Sequence, residues 1–148
     1  MKLVPIENIN SITFKMKKNI GKGILGIFMI TQVACSSSAM KGTWQYDGGI
    51  YNKNAQKASP DFIMQRTYTA DKYEAFILEE GLEAKKYAAG RYELKGDSFL
   101  VTSEYSLQPS QTVGKTISYK YKIDNDKLTL NGVLPSGMIV EEYWKKIK

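Results

Sequence analysis

Thr116-Ile117-Ser118-Tyr119-Lys120-Tyr121-Lys122-Ile123-Asp124 is the stretch that decides the fold. Ile117, Tyr119, Tyr121 and Ile123 fall on one side, and Ser118, Lys120 and Lys122 on the other. That period of two is the pattern of a strand with one dry and one wet face. A loop over 108–114 precedes it, and Asp124-Asn125-Asp126 turns the chain after it. The next run, 127–134, points Leu128 and Leu130 inward. Pro135-Ser136-Gly137 then leads into a last strand over 138–148. Working back, 98–107 places Phe99, Val101 and Tyr105 on one face, and Lys95-Gly96-Asp97 is a hairpin turn. Residues 83–94 alternate through Ala88, Gly90, Tyr92 and Leu94. Residues 72–79 carry Tyr73, Ala75 and Ile77 on one face, and 61–69 carry Phe62, Met64, Arg66 and Tyr68. Residues 52–59 are small and polar, a loop ending at Pro60. The first strand, 41–51, is broken by Gly48-Gly49, the mark of a bulge or bend. The segment 78–89 also permits a short helical turn through Leu82, Lys85, Lys86 and Ala89.

The chain from residue 40 to 148 is therefore one all-β domain of about eight antiparallel strands in an up-and-down meander. Such a sheet must bury one face and hide two edges. Closing into a barrel does both. A barrel of about eight strands has an interior that side chains just fill, or that holds one small ligand.

Residues 1–39 read as a leader and short tether. Lys17, Lys18 and Lys22 give a basic start, residues 23–30 an apolar core, and 34–39 a small-residue tail. That order is a secretory signal, with translation expected to begin at Met16. The apolar core is too short to span a bilayer as a stable helix. Two cuts are open. Val33-Ala34-Cys35 resembles a bacterial lipoprotein box, although Gln32 departs from it, and would leave Cys35 lipidated. Ser37-Ser38-Ala39 offers ordinary signal peptidase a cut before Met40. The chain's single cysteine stands at this point, which favours lipidation. The expected location is the cell envelope, anchored and facing the periplasm; the alternative is a soluble periplasmic or secreted protein. Either cut leaves no internal disulfide.

The formal charge of +6 belongs mostly to the leader, where five lysines and one glutamate precede Ser36. The remainder carries +2, which is no footprint for nucleic acid.

Several short pieces carry a resemblance. They are Gly42-Thr43-Trp44, Arg66-Thr67-Tyr68-Thr69, Gly90-Arg91-Tyr92, Asp126-Lys127-Leu128-Thr129-Leu130 and Glu142-Tyr143-Trp144-Lys145-Lys146. Together they resemble the lipocalin-like (calycin) barrels, and within these the small exported domains of unknown function found in Bacteroidetes. The resemblance implies that Trp44 packs on a basic residue near one barrel end. Lys146 fills that role, or Lys145 if the register slips. The full lipocalin pattern also expects a C-terminal helix, whereas here the last segment, 138–148, is read as a strand.

The chain contains no histidine, so the commonest general base and metal ligand are missing. The pairs Glu79-Glu80 and Glu141-Glu142 are adjacent in strands, so their side chains point to opposite faces. Asp124-Asn125-Asp126 lacks the spaced ligands of a calcium loop. No catalytic residue, cofactor or metal is expected.

Arg66 and Glu142 are both read as inward. Buried charges require partners, so Glu142 is expected to pair with Arg66 or Lys146 at one end of the barrel. Trp44, Glu142, Trp144 and Lys146 are the closure residues. The binding alternative gives Arg66 the head group of a small hydrophobic or amphiphilic ligand, with Tyr68, Tyr92, Tyr105, Tyr119 and Tyr121 lining the rest. The competing role is a packed barrel that serves as a protein-interaction or envelope-structural module.

If Cys35 is the anchor, the mature protein partitions into detergent and carries acyl chains, and Cys35→Ala blocks processing or releases it. A mature N-terminus at Met40, read by mass spectrometry, would show secretion without an anchor.

Overall fold

The computed structural model describes residues 38–148. Residues 1–37, which include Cys35 and all but the last two residues of the leader and tether, lie outside the described residues. Nine strands follow in order: β1 Gly42–Tyr51, β2 Asn54–Lys57, β3 Ile63–Tyr68, β4 Lys72–Leu78, β5 Lys85–Lys95, β6 Ser98–Ser106, β7 Thr116–Asp124, β8 Lys127–Val133 and β9 Ile139–Lys146. From β3 to β9 each strand pairs antiparallel with the next. β9 returns to pair with β1, so the sheet closes. β2 and β3 share one edge of β1: β2 lies along Gly48–Tyr51 and β3 along residues 42–45. The barrel therefore has eight staves, one of them interrupted, and the expected meander is the one observed.

β2 falls where a loop was expected. Its four residues are all exposed, so it has no apolar alternation to betray it. It forms because Asn52 and Lys53 take φ of 47° and 71°, the left-handed turn that folds a tight hairpin back on β1. The helical option for 78–89 is not taken: residues 80–81 turn and β5 is already extended from Lys85.

In a meander the turns alternate between two ends. The tight β3–β4, β5–β6 and β7–β8 turns share one end with both termini of the described chain. The longer connections 79–84, 107–115 and 134–138 share the other, called here the loop end.

The first end is plugged. Residues 38–40 are helical, and Met40 is fully buried, a flexible side chain suited to filling an irregular gap. Trp44 Nε1–H donates to the Met40 carbonyl at 2.8 Å. Lys146 Nζ donates to the Ala39 carbonyl at 2.9 Å and lies 5.2 Å over the Trp44 ring. Thr43 N–H donates to the Lys148 carbonyl at 3.0 Å. Above the plug, Tyr68, Tyr92, Phe99, Leu128, Leu130 and Trp144 make the core. Tyr68 meets Tyr92 and Phe99 edge-on, with centroids 5.3 and 5.7 Å apart. Such pairs add about 0.5–1.5 kcal/mol each beyond the area they bury.

Two inward glycines make room for rings. A Cβ on Gly132 would lie 2.6 Å from Tyr119 Cδ1, and one on Gly90 would first meet the Thr102 carbonyl of β6 at 2.1 Å and then Tyr73 Cε1 at 3.0 Å.

Tyr105 corrects the expectation of an inward phenol. Gly90 pairs with Ser103 and Ala89 with Tyr105, which leaves Glu104 as an extra residue in β6. One extra residue reverses the alternation beyond it. Ser103 and Ser106 face in, and Tyr105 stands outside, 42% exposed.

Trp144→Ala is expected to lower stability by about 3–5 kcal/mol in chemical denaturation, as large-to-small core changes do. Gly132→Ala adds one methyl against Tyr119 and should cost about 1–3 kcal/mol. A Trp144→Ala loss below about 1 kcal/mol would remove this residue from the core.

Candidate functional site

β3 alternates Met64, Arg66 and Tyr68 toward the interior. Arg66 lies across from Trp44 on β1 and Ala75 on β4. Both neighbours are fully buried, so the guanidinium reaches inward past a small alanine. On β9, Glu142 lies between Leu130 of β8 and Gly49 of β1. The register of β1 shifts between Tyr46 and Gly48, as the Gly48-Gly49 pair suggested. Gly49 has no side chain, and the phenols of Tyr46 and Tyr51 cover it.

Glu142 is the hub. Its Oε2 accepts from Trp144 Nε1–H at 3.1 Å and from Arg66 Nη1 at 3.5 Å. Its Oε1 accepts from the Tyr51 hydroxyl at 3.4 Å, and the Tyr51 and Tyr46 hydroxyls are 2.9 Å apart. The Arg66–Glu142 contact is at the outer limit for a hydrogen bond. Arg66 is held as much by stacking, with Cζ 4.4 Å from the Trp144 ring centre. Its Nε–H is buried without a partner in the protein.

Burial pulls the Arg66 guanidinium down, but Glu142 and the phenols of Tyr87, Tyr68 and Tyr119 outweigh it and hold Arg66 well above its ordinary value. Burial raises the phenols of Tyr51, Tyr68, Tyr73 and Tyr46. Tyr119 is pushed up to about 12, mainly by burial; Arg66 opposes the rise and Glu142 adds to it. These groups stay neutral in the fold, and the charged side chains beside them are those of Arg66 and Glu142.

Beside this pair is a cavity of about 200 Å³. Arg66, Glu142, Tyr68, Tyr73, Tyr119 and Ser103 line it, and Thr112 and Leu134 reach it from the loop end. Arg66 keeps 23% of its side chain accessible and Glu142 15%. Larger concavities of about 550, 440 and 300 Å³ lie on the outside of the barrel, among solvated residues such as Arg91, Lys120 and Lys72.

The structure brings together Arg66, Tyr68, Tyr119 and Glu142 of the expected residues. Tyr92 and Tyr121 are elsewhere. The Tyr92 hydroxyl donates to the Thr69 carbonyl at 2.6 Å near the plugged end, and Tyr121 packs on Phe99. Lys146 turns to Trp44 and Ala39 and leaves Glu142 to Arg66. Tyr51, Tyr73 and Ser103 were not foreseen. Tyr73 shared a face with Ala75 in the sequence, and that alternation was the available signal. Ser103 followed Phe99 and Val101 in the same way. Tyr51 lies beyond the Gly48-Gly49 irregularity, where the phase is lost. Among the described residues no group of three or more Cys, Asp or Glu is placed to hold a metal.

No family model matches the sequence, and no curated protein does. Solved structures do match. A lipocalin-like protein from Bacteroides uniformis ATCC 8492 is 16% identical, with a TM-score of 0.53 over 74% of this chain and 99% of the other. The barrel resembles the lipocalin fold. An uncharacterised protein from Bacteroides eggerthii DSM 20697 is 15% identical, with a TM-score of 0.55 over 73% of this chain and 99% of the other. Both likenesses concern the fold alone. Within this lipocalin-like frame, the basic residue over Trp44 is Lys146; Lys145 lies opposite Gln45, one position out of phase.

The phenols set an alkaline limit. A phenol raised by burial keeps its proton in the fold, while the unfolded chain releases it near 10. Stability is therefore full below about pH 10 and is lost as pH rises toward about 12. Phenolate absorbance from the interior tyrosines should appear together with loss of circular dichroism. Full ionisation with the native spectrum intact would show that these rings are not buried.

Proposed function

We propose that this protein is a non-catalytic binding protein of the cell envelope that holds one small molecule inside its barrel, against Arg66 and Glu142. One observation carries this. A guanidinium buried on one side reaches Glu142 only by a long hydrogen bond of 3.5 Å, interacts with the Tyr68 hydroxyl, and borders a cavity of about 200 Å³. Buried polar groups are normally well bonded, and a cationic donor facing open space suits an acceptor from outside the protein. The lack of histidine and of a metal-ligating cluster among the described residues supports a role without catalysis. The envelope location rests on the leader and on Cys35.

The cavity is below the roughly 300–1,000 Å³ of common ligand pockets. A long-tailed amphiphile does not fit inside. A tail would have to leave by the loop end, past Leu107 and Val113, which are exposed there. The same small volume favours the second reading, a packed barrel that acts as an interaction or structural module.

Mass spectrometry of compounds extracted from the purified protein separates the two. Binding predicts one stoichiometric small compound, lost in Arg66→Met, whose removal lowers the melting temperature. Clean extracts and an unchanged melt would favour the packed module.

A further inference from the structure

The arrangement at Arg66 also says what charge the ligand carries. Arg66 and Glu142 are the charged residues of the cavity lining, and they lie 3.5 Å apart. Their charges cancel. An anion on Arg66 would sit beside the Glu142 carboxylate, and a cation on Glu142 beside the guanidinium. Either arrangement sets like charges side by side between two partly buried side chains, where their repulsion is less screened than in bulk water. An uncharged ligand meets neither.

The bonding capacity is complementary as well. A guanidinium has five N–H donors, and the hydrogen bond of Arg66 to Glu142 is long. A carboxylate has about four acceptor positions, and Glu142 Oε1 has only the Tyr51 hydroxyl at 3.4 Å. The site therefore offers donors from one residue and a spare acceptor from the next. The rings of Tyr68, Tyr73 and Tyr119 form part of the wall, with Val101, Ile117 and Leu134 completing an apolar surface. The volume equals about seven water molecules at ~30 Å³ each, which is space for one substituted ring.

We infer that the barrel selects a small uncharged ring compound with a carbonyl acceptor beside an N–H or O–H donor, such as a primary amide, lactam or pyridone, bridging Arg66 and Glu142. This rests on the binding role proposed above. It narrows the earlier expectation of an amphiphile: the acid head group is rejected by Glu142 and the long tail by the volume.

Four probes that share one ring test it: benzamide, benzoate, benzylamine and toluene, titrated into the purified protein at neutral pH and followed by NMR and thermal melting. Benzamide should bind at least ~10-fold more tightly than benzoate or benzylamine, a gap of about 1.4 kcal/mol. In Glu142→Gln, Arg66 loses its counter-charge, so benzoate should overtake benzamide. If that variant does not fold, the ranking in the unaltered protein decides. A ranking led by benzoate, benzylamine or toluene, or a Glu142→Gln ranking that does not change, overturns the charge selection and leaves the binding role standing. If none of the four binds and no compound is extracted from the protein, the binding role falls and the selection with it.

Discussion

β1 bonds on both edges, and the rest of the structure depends on it. A meander of antiparallel strands ends in two unpaired edges, each a row of unsatisfied amides. Here β9 reaches back along β1 from Trp44 to Tyr51 while β2 and β3 take the other edge. Closure gives every inward side chain a common interior. It also puts the two tryptophans on adjacent strands, with Tyr46 between them in register with Trp144. The irregularity between Tyr46 and Gly48 sets Glu142 against a glycine, which leaves space for a carboxylate and two phenols over it.

The interior then divides into two parts. Toward the plugged end it is packed with Met40, Trp44, Phe99, Leu128 and ring pairs. Toward the loop end it is polar, with an ion pair, neutral phenols and a serine around a cavity. Such a pair is not the economical way to stabilise a barrel. Removing two charges from water costs about as much as their attraction returns, and apolar residues of similar size commonly do as well or better. The long Arg66–Glu142 contact makes the return smaller still. A costly, loosely bonded pair beside a cavity is the kind of local conflict that functional sites carry.

Much of this was legible in the sequence. The strand 116–124 was readable because its alternation runs unbroken over nine residues. Arg66 and Glu142 were readable for the same reason, each lying between apolar residues of its own strand. Legibility failed where the period slipped. Glu104 adds one residue to β6, and Tyr105 changes sides. β2 has no buried face, so nothing in its composition marks it. Met40 was assigned the first position of the domain and no role, because a single methionine carries no pattern; its part in the plug follows from three-dimensional closure alone. The cavity was not legible at all. It is the space left between the Arg66–Glu142 pair, the rings of Tyr68, Tyr73 and Tyr119 and the loop end, and such a difference of volumes has no periodicity.

The central claim is that Arg66 and Glu142 form one paired unit inside the barrel. A double-mutant cycle on stability tests it most directly, with Arg66→Met, Glu142→Leu and the double variant compared by chemical denaturation. Each single change strands a buried charge or removes the acceptor of Trp144, and should cost about 3 kcal/mol. The double variant replaces the pair by apolar side chains and should recover most of that loss. Losses that simply add in the double variant would show two independent residues, and would contradict a paired site in the interior.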